Sequence, residues 1–302
     1  MFIIKHRKIF VIISIALVVV SILAIFVFGL KIGIDFKGGA LTEVSYENNR
    51  PEQVTIEDAV SSLGFGTILI QPAGEKEYII KSRDLNEKEH NDLLDVLSIN
   101  NSYKFEEKSF NSIGPSVGRE LTRRALLSIV LVSLAIIIFI AYAFRKVSKP
   151  VSSWKYGIIA IVTLLHDVLI PVGIFTILSK YYGAEVDTLF VVAILTILGV
   201  SVSDTIVIFD RIRENLRNHD SHKKIDFKEI VGRSVGQSFV RSISTSLTVI
   251  LVLLALVFFG PITTKYFALM IMAGMFFGTY SSIFLASPLL TYAEDWQSGD
   301  TK

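Results

Sequence analysis

Asp167, Asp204 and Asp210 are the formal charges inside six long apolar windows of the sequence, at 9–30, 125–144, 156–178, 188–210, 242–259 and 266–290. Inserting an Asp at the centre of a membrane-spanning helix costs roughly 2.5–3.5 kcal/mol. Such a group faces a bundle interior, pairs, or carries protons. Asp204 lies in LGVSVSDTIVIFDRIREN, among the hydroxyls of Ser201, Ser203 and Thr205. It is either a structural carboxyl bonded to neighbouring helices or a protonatable carrier. Asp210 stands beside Arg211 and Arg213 and reads as an interfacial ion pair. Arg241 opens the fifth window, from which its side chain can reach toward Asp204 or snorkel to the headgroups. Contact with Arg favours the ionised carboxyl, and burial without it favours the protonated form. A cycle that joins and parts the two would therefore move a proton. Ser242, Ser244, Thr245, Ser246 and Thr248 continue a polar stripe up the fifth window. They line a hydrated path or bond their own helix backbone. His166 and Asp167 are adjacent, so they project about 100° apart on a helix, and either can belong to the same polar interior or stand apart from it. Gly274, Gly278, Ser282 and Ala286 recur every four residues. That small-residue seam signals close packing, on this chain or on a partner.

Other chemistries fit poorly. An intramembrane aspartyl protease needs two opposed carboxyls at one depth, whereas Asp167 is central in its window and Asp204 lies nearer an end. The Gly-x-Gly-Asp context is also absent: the residues are Ser-Val-Ser-Asp. No Gly-flanked Ser with a His partner and no nucleotide-binding fingerprint is present. The chain has no cysteine, which excludes disulfides, Cys-ligated metals and thiol nucleophiles. A net charge of +2 argues against a nucleic-acid partner. The expected class is not an enzyme, and no metal or organic cofactor is expected.

The elements that must position these residues follow from the apolar windows, each about 18–25 residues long and enough to cross a ~30 Å hydrocarbon layer. The expected fold is a polytopic α-helical membrane protein with six transmembrane helices and a small α+β, ferredoxin-like extracytoplasmic domain. The first window follows Lys5, Arg7 and Lys8 but is too long for a signal-peptide core, so it reads as an uncleaved span. Basic residues in the short loops (Arg145, Lys146, Lys149 and Lys155, then eight between Arg211 and Arg241) put both termini in the cytoplasm. The organisation is thus 1–30, N-terminus and first span; 31–124, extracytoplasmic domain and connector; 125–290, spans two to six with a cytoplasmic amphipathic segment at 211–241; and 291–302, a cytoplasmic tail. Within 31–124, LTEVSYE, TILIQ, EYIIK and SYKFEEKSF read as strands. A helix capped by Thr55 runs from Val54 to Leu63, and a second, with Asn86 and Glu89 as a capping box, runs to Leu97. Pro72-Ala73-Gly74 is the expected turn between the middle strands. The order β-α-β-β-α-β is the split unit of ferredoxin-like domains. In 211–241, Asp226 caps a helix whose apolar face is Phe227, Ile230, Val231, Val235 and Phe239. Arg119, Arg123 and Arg124, with Glu120, stand just before the second span, either at headgroups or in a functional connector.

Five stretches together resemble the SecD/SecF family, in its SecF branch: GIDFKGG at 33–39, IGPSVGREL at 113–121, LLHDV at 164–168, GVSVSDTIVIFDRIREN at 199–215 and RSISTSLTVILVLLALVFFG at 241–260. The resemblance runs from the first span to the sixth. It implies a proton-driven transporter of the RND superfamily, with protons as the coupling ion. It also implies SecD as the partner that supplies six further helices, association with the SecYEG channel, and a translocating preprotein as substrate. The expected home is the bacterial cytoplasmic (inner) membrane, surrounded by lipid. By motif, Asp204 and Arg241 take the proton-conducting positions, with Asp167, Ser201, Ser203 and Ser244 as candidate neighbours. Gly33, Asp35, Gly38, Gly39, Gly114 and Arg119 fall in the motifs that flank the soluble domain. Gly38 and Gly39 there supply hinge freedom or form an ordinary tight turn. A stand-alone exporter would want a larger external domain, and a passive scaffold would not need Asp204.

Overall fold

The computed structural model describes residues 2–99, 102–144, 151–218 and 226–299. The basic cluster at 145–149, the polar turn His219–Lys224 and Lys302 lie outside the described residues. In chain order the elements are α1 (Phe2–Lys5), α2 (Arg7–Phe28), α3 (Ile34–Lys37), β1 (Gly39–Tyr46), α4 (Gln53–Ser61), β2 (Leu69–Ala73), β3 (Glu77–Ser82), α5 (Glu87–Leu97), β4 (Phe105–Ile113), α6 (Pro115–Phe144), α7 (Ser153–Tyr182), α8 (Thr188–Arg217), α9 (Phe227–Phe259), α10 (Ile262–Ser281), a π turn (Ser282–Ala286) and α11 (Ser287–Gly299). The chain divides into two compact units. One holds Met1–Lys31, Ser128–Ala184 and Leu189–Lys302; the other holds Ile32–Leu127 and Glu185–Thr188.

The first unit is helical. Among the described residues, six helices are long and apolar enough to cross a membrane, the sixth running from Thr264 to Gln297 through the π turn. The protein is therefore multi-pass. Half or more of the windows of α7, α8 and the sixth span is buried, against less than a fifth of those of α2, α6 and α9. Small residues set the close contacts. A Cβ on Gly173 of α7 would lie 2.5 Å from Ser21 Cβ of α2, and one on Gly274 of α10 would lie 2.3 Å from Ile197 Cγ1 of α8. The small-residue seam of the last span therefore packs within this chain. α9 is one helix of 33 residues capped by Asp226, whose side chain accepts from the Lys228 and Glu229 amides. Phe227, Ile230, Val231 and Val235 are buried as the amphipathic pattern requires, whereas Phe239 is exposed. The segment read as a tail from 291 continues α11 instead. It is fastened there: Asp295 pairs with Arg7 and with Lys228, each at 2.6 Å, and Arg7 also donates to Thr291 Oγ1 at 2.7 Å.

The second unit carries an antiparallel sheet of order β2-β3-β1-β4, the ferredoxin-like arrangement. One face is packed: Val44 and Tyr46 of β1, Tyr78 and Ile80 of β3, Ile56 and Val60 of α4, and Leu93 and Leu97 of α5 share a core. The Asn86–Glu89 capping box forms in both directions. Three local expectations shift. α4 begins at Gln53 after Glu52, with no side-chain cap, so Thr55 lies inside it. Pro72 and Ala73 belong to β2, and the turn falls at 74–76. Pro72 is tolerated because β2 is an edge strand. The last strand starts at Phe105 and leaves Tyr103 outside.

Candidate functional site: a polar cluster among the spans and a junction at the soluble domain

In the helical unit the three central spans bring both carboxylates into one hydroxyl-lined cluster. Asp167 of α7 is fully buried. Its Oδ1 lies 2.8 Å from His166 Nδ1, and its Oδ2 accepts from Ser281 Oγ at 2.7 Å and from Ser201 Oγ of α8. Pro171 sits in the same helix. It offers no N–H to the Asp167 carbonyl four residues earlier, which adds a second acceptor at this depth. His166 stacks near Tyr280, with ring centroids 6.3 Å apart. Its Nε2 is buried without a hydrogen-bond partner among the described residues. Ser201 and Asp204 are one turn apart on α8 and share a face. Thr279 Oγ1 donates to Asp204 Oδ2 at 3.3 Å and is hydrogen-bonded to Ser246 Oγ of α9. Thr205 and Ser282 hydroxyls meet at 2.9 Å. A cavity of about 10 Å³, lined by Val200, Ser201, Asp204, Gly274, Met275, Gly278 and Thr279, lies between the two carboxylates' partners. That is about the size of one water.

The last span serves both carboxylates around the start of its π turn (Ser282–Ala286): Thr279 reaches Asp204, Ser281 reaches Asp167 and Ser282 reaches Thr205. The seam residues are part of this arrangement. Gly278 leaves room beside Ser201 and Asp167 Oδ2, 3.6 and 3.8 Å from where its Cβ would be, and Ser282 is a hydrogen-bonding member as well as a packing one.

The structure does not bring every expected residue here. Ser203 is exposed on the other side of α8. Arg241 and Ser244 are exposed on α9, and among the described residues no ion pair within 4 Å joins Arg241 to Asp204, on which the Arg241 charge acts only through space. The inward stripe of α9 is Ser238, Ser242 and Ser246, spaced by four, and Ser242 Oγ is buried without a hydrogen-bond partner among the described residues. Ser244 is two residues, about 200°, away from it. Thr245 and Thr248 donate to the carbonyls of Arg241 and Ser244, so they bond their own helix. Thr279, Ser281 and Tyr280 were not signalled by the sequence pattern. Asp210 does pair with Arg213.

In the second unit the GIDFKGG stretch is a packed junction. α3 is a single turn begun by Gly33. Gly38 and Gly39 have φ of 82° and 141°. A Cβ on Gly39 would lie 2.8 Å from Ser82 O, and one on Gly118 of α6 would lie 2.9 Å from Gly38 N. These glycines are required by close approach and positive φ; they are enclosed, where a free hinge would be open. Gly33 N donates to Val186 O at 2.9 Å, and Asp35 Oδ2 accepts from Thr188 N at 2.8 Å. Gly114 precedes α6 with nothing close to it, and Arg119 is exposed.

Comparison with known proteins agrees with this architecture. The SecD/SecF protein-export membrane protein C-terminal family matches residues 95–296, and the SecD/SecF GG motif matches 23–49. A protein translocase subunit SecF from Thermobaculum terrenum is 42% identical over 99% of this chain and 94% of its own length. One from Anaerolinea thermophila is 35% identical with the same coverage. The crystal structure of SecDF, a translocon-associated membrane protein from Thermus thermophilus, superposes with a TM-score of 0.81 at 28% identity, over 97% of this chain. This chain spans only 38% of that longer one. The relatives are translocase subunits, which places the chain among transport components. With a buried carboxylate cluster inside six spans, a GG junction and a ferredoxin-like domain, the chain belongs to the SecD/SecF family of protein-export membrane proteins.

Proposed function

We propose that this chain works as a SecF-type subunit of the bacterial Sec export machinery, coupling inward proton flow to late, extracytoplasmic steps of preprotein translocation. It acts with SecD and the SecYEG channel in the cytoplasmic membrane, with both termini in the cytoplasm and the α+β domain outside. The observation that carries this is the half-buried Asp204, joined through Thr279 and a water-sized cavity to Ser201 and buried Asp167. Hydroxyls and a confined water can pass protons between two carboxyls. Arg241, on the exposed face of α9, is the counter-charge that Asp204 meets at another stage of the cycle. The driving force is adequate: one charge crossing yields ~2.3 kcal/mol per 100 mV, and each pH unit adds ~1.4 kcal/mol.

The test is Asp204→Asn in proteoliposomes that hold this subunit, its SecD partner and the channel. Proton uptake and the proton-dependent part of export should both vanish, while co-purification with SecD persists. Unchanged export and proton flux would leave a passive scaffold.

A further inference from the structure

The link between α7 and α8 is grouped with the soluble domain. Residues 185–188 are gripped at three points within that unit. Ile32 and Val186 form a parallel bridge, closed by the 2.9 Å bond from Gly33 N to Val186 O. Glu185 pairs with Lys81 of β3 at 2.8 Å, both side chains being largely shielded. Asp35 Oδ2 accepts from Thr188 N at 2.8 Å. Thr188 is the first residue of α8, and its N–H has no partner within the helix. A carboxylate at that end also suits the helix dipole. Space is tight: a Cβ on Gly33 would lie 3.1 Å from Val186 O and 3.4 Å from Glu185 Cβ. The same seven-residue motif holds the start of α6, where Gly118 lies against Phe36 and Gly38 and Thr122 Oγ1 donates to Phe36 O at 3.4 Å.

α8 then runs unbroken from Thr188 to Arg217 and carries Ser201 and Asp204, the latter about 24 Å along the helix from Thr188 at 1.5 Å per residue. A continuous helix transmits a shift or rotation along its length, and its far end here is clamped. We propose that the clasp of Gly33 and Asp35 on residues 185–188 is a fixed joint that delivers displacement of α8 to the extracytoplasmic domain, with Asp35 as a positioning residue for coupling. The proposal rests on the reading of Asp204 as a proton carrier.

The chain has no cysteine, so the joint can be locked cleanly. In the same proteoliposomes, the double variant Ile32→Cys with Val186→Cys should keep proton-dependent export when oxidised to the disulfide. Loss on oxidation that is restored by reductant, and absent from each single variant, would mean the joint must open and would overturn the proposal. Asp35→Ala should separate the two activities: Asp204-dependent proton uptake persists while proton-dependent export is lost. Asp35→Asn, which keeps an acceptor oxygen, should restore most of the export. Hydrogen exchange at the amides of Thr188 to Phe190 should quicken roughly tenfold in Asp35→Ala, the effect of losing a helix cap. Full coupled export in Asp35→Ala would overturn the proposal, as would loss of proton uptake together with export. If Asp204→Asn leaves proton uptake intact, the proton reading fails instead, and the exchange and cross-link results still report on the joint.

Discussion

Glu43 lies at the centre of β1, opposite Ile79 and Ser109, and is 7% exposed. Burial, then the neighbouring Glu77 charge, hold its carboxyl above the ordinary range, partly offset by Lys108. A folded-state pKa that is raised contributes stability below the unfolded value of about 4.3 and loses it as pH rises through the folded value. Glu43→Gln should therefore raise the domain's resistance to hydrogen exchange at pH 7.5 and leave it little changed near pH 4. Glu89 behaves oppositely: Arg83, then the Asn86 amide, lower it to about 2. Its contribution is present above the ordinary carboxylate range and fades as pH falls toward 2, so Glu89→Gln should remove that acid-side slope. The Asn86–Glu89 pair was legible in the sequence because a capping box is local, set by four consecutive residues. The intramembrane partners were legible only in half. Asp167, Ser201 and Asp204 stand out as polar groups in apolar windows, but Ser281 and Thr279 come from a distant helix whose pattern carries no mark of their partner.

At the scale of elements, phase decides what sequence can tell. A period of four fits α9, yet the choice between the Ser242–Ser246 face and the Arg241–Ser244 face depends on which neighbours α9 meets, and the periodicity leaves that open. The last span is harder, because its π turn breaks the α repeat on which any face assignment relies. The glycine seam was readable as packing, and its two members now separate. A side chain at Gly274 would meet Ile197 at 2.3 Å, whereas one at Gly278 would meet Ser201 Cβ at 3.6 Å, an ordinary contact. Gly274→Val should overpack the α8–α10 contact at a cost of about 1–3 kcal/mol. Thermal unfolding in detergent should show this as a clear drop in midpoint, and Gly278→Ala should show a small one. Equal effects would mean that the seam does not discriminate by clearance.

Across the whole molecule, burial is uneven. α7, α8 and the last span are enclosed, while α9 shows Arg241, Ser244 and Thr248 and α8 shows Ser203. Polar side chains are expensive against lipid, so this face suits the second six-helix half of the proposed complex. A reporter at Ser203→Cys or Ser244→Cys should cross-link to a SecD-like chain in native membranes, and one at inward-facing Ser242 should not. The six spans and the split β-α-β-β-α-β unit were readable because hydropathy and alternation are strong over long stretches. The α7–α8 link was not, because five residues after a span carry no pattern that announces a strand-like bridge. The ion pairs at Asp295 have a different consequence. Arg7 of the first span and Lys228 of the helix that forms the fifth share the one carboxylate of Asp295 in the last, each at 2.6 Å. Neutralising Asp295 would strip two cations of their anion at once, so a single substitution there loosens three spans together.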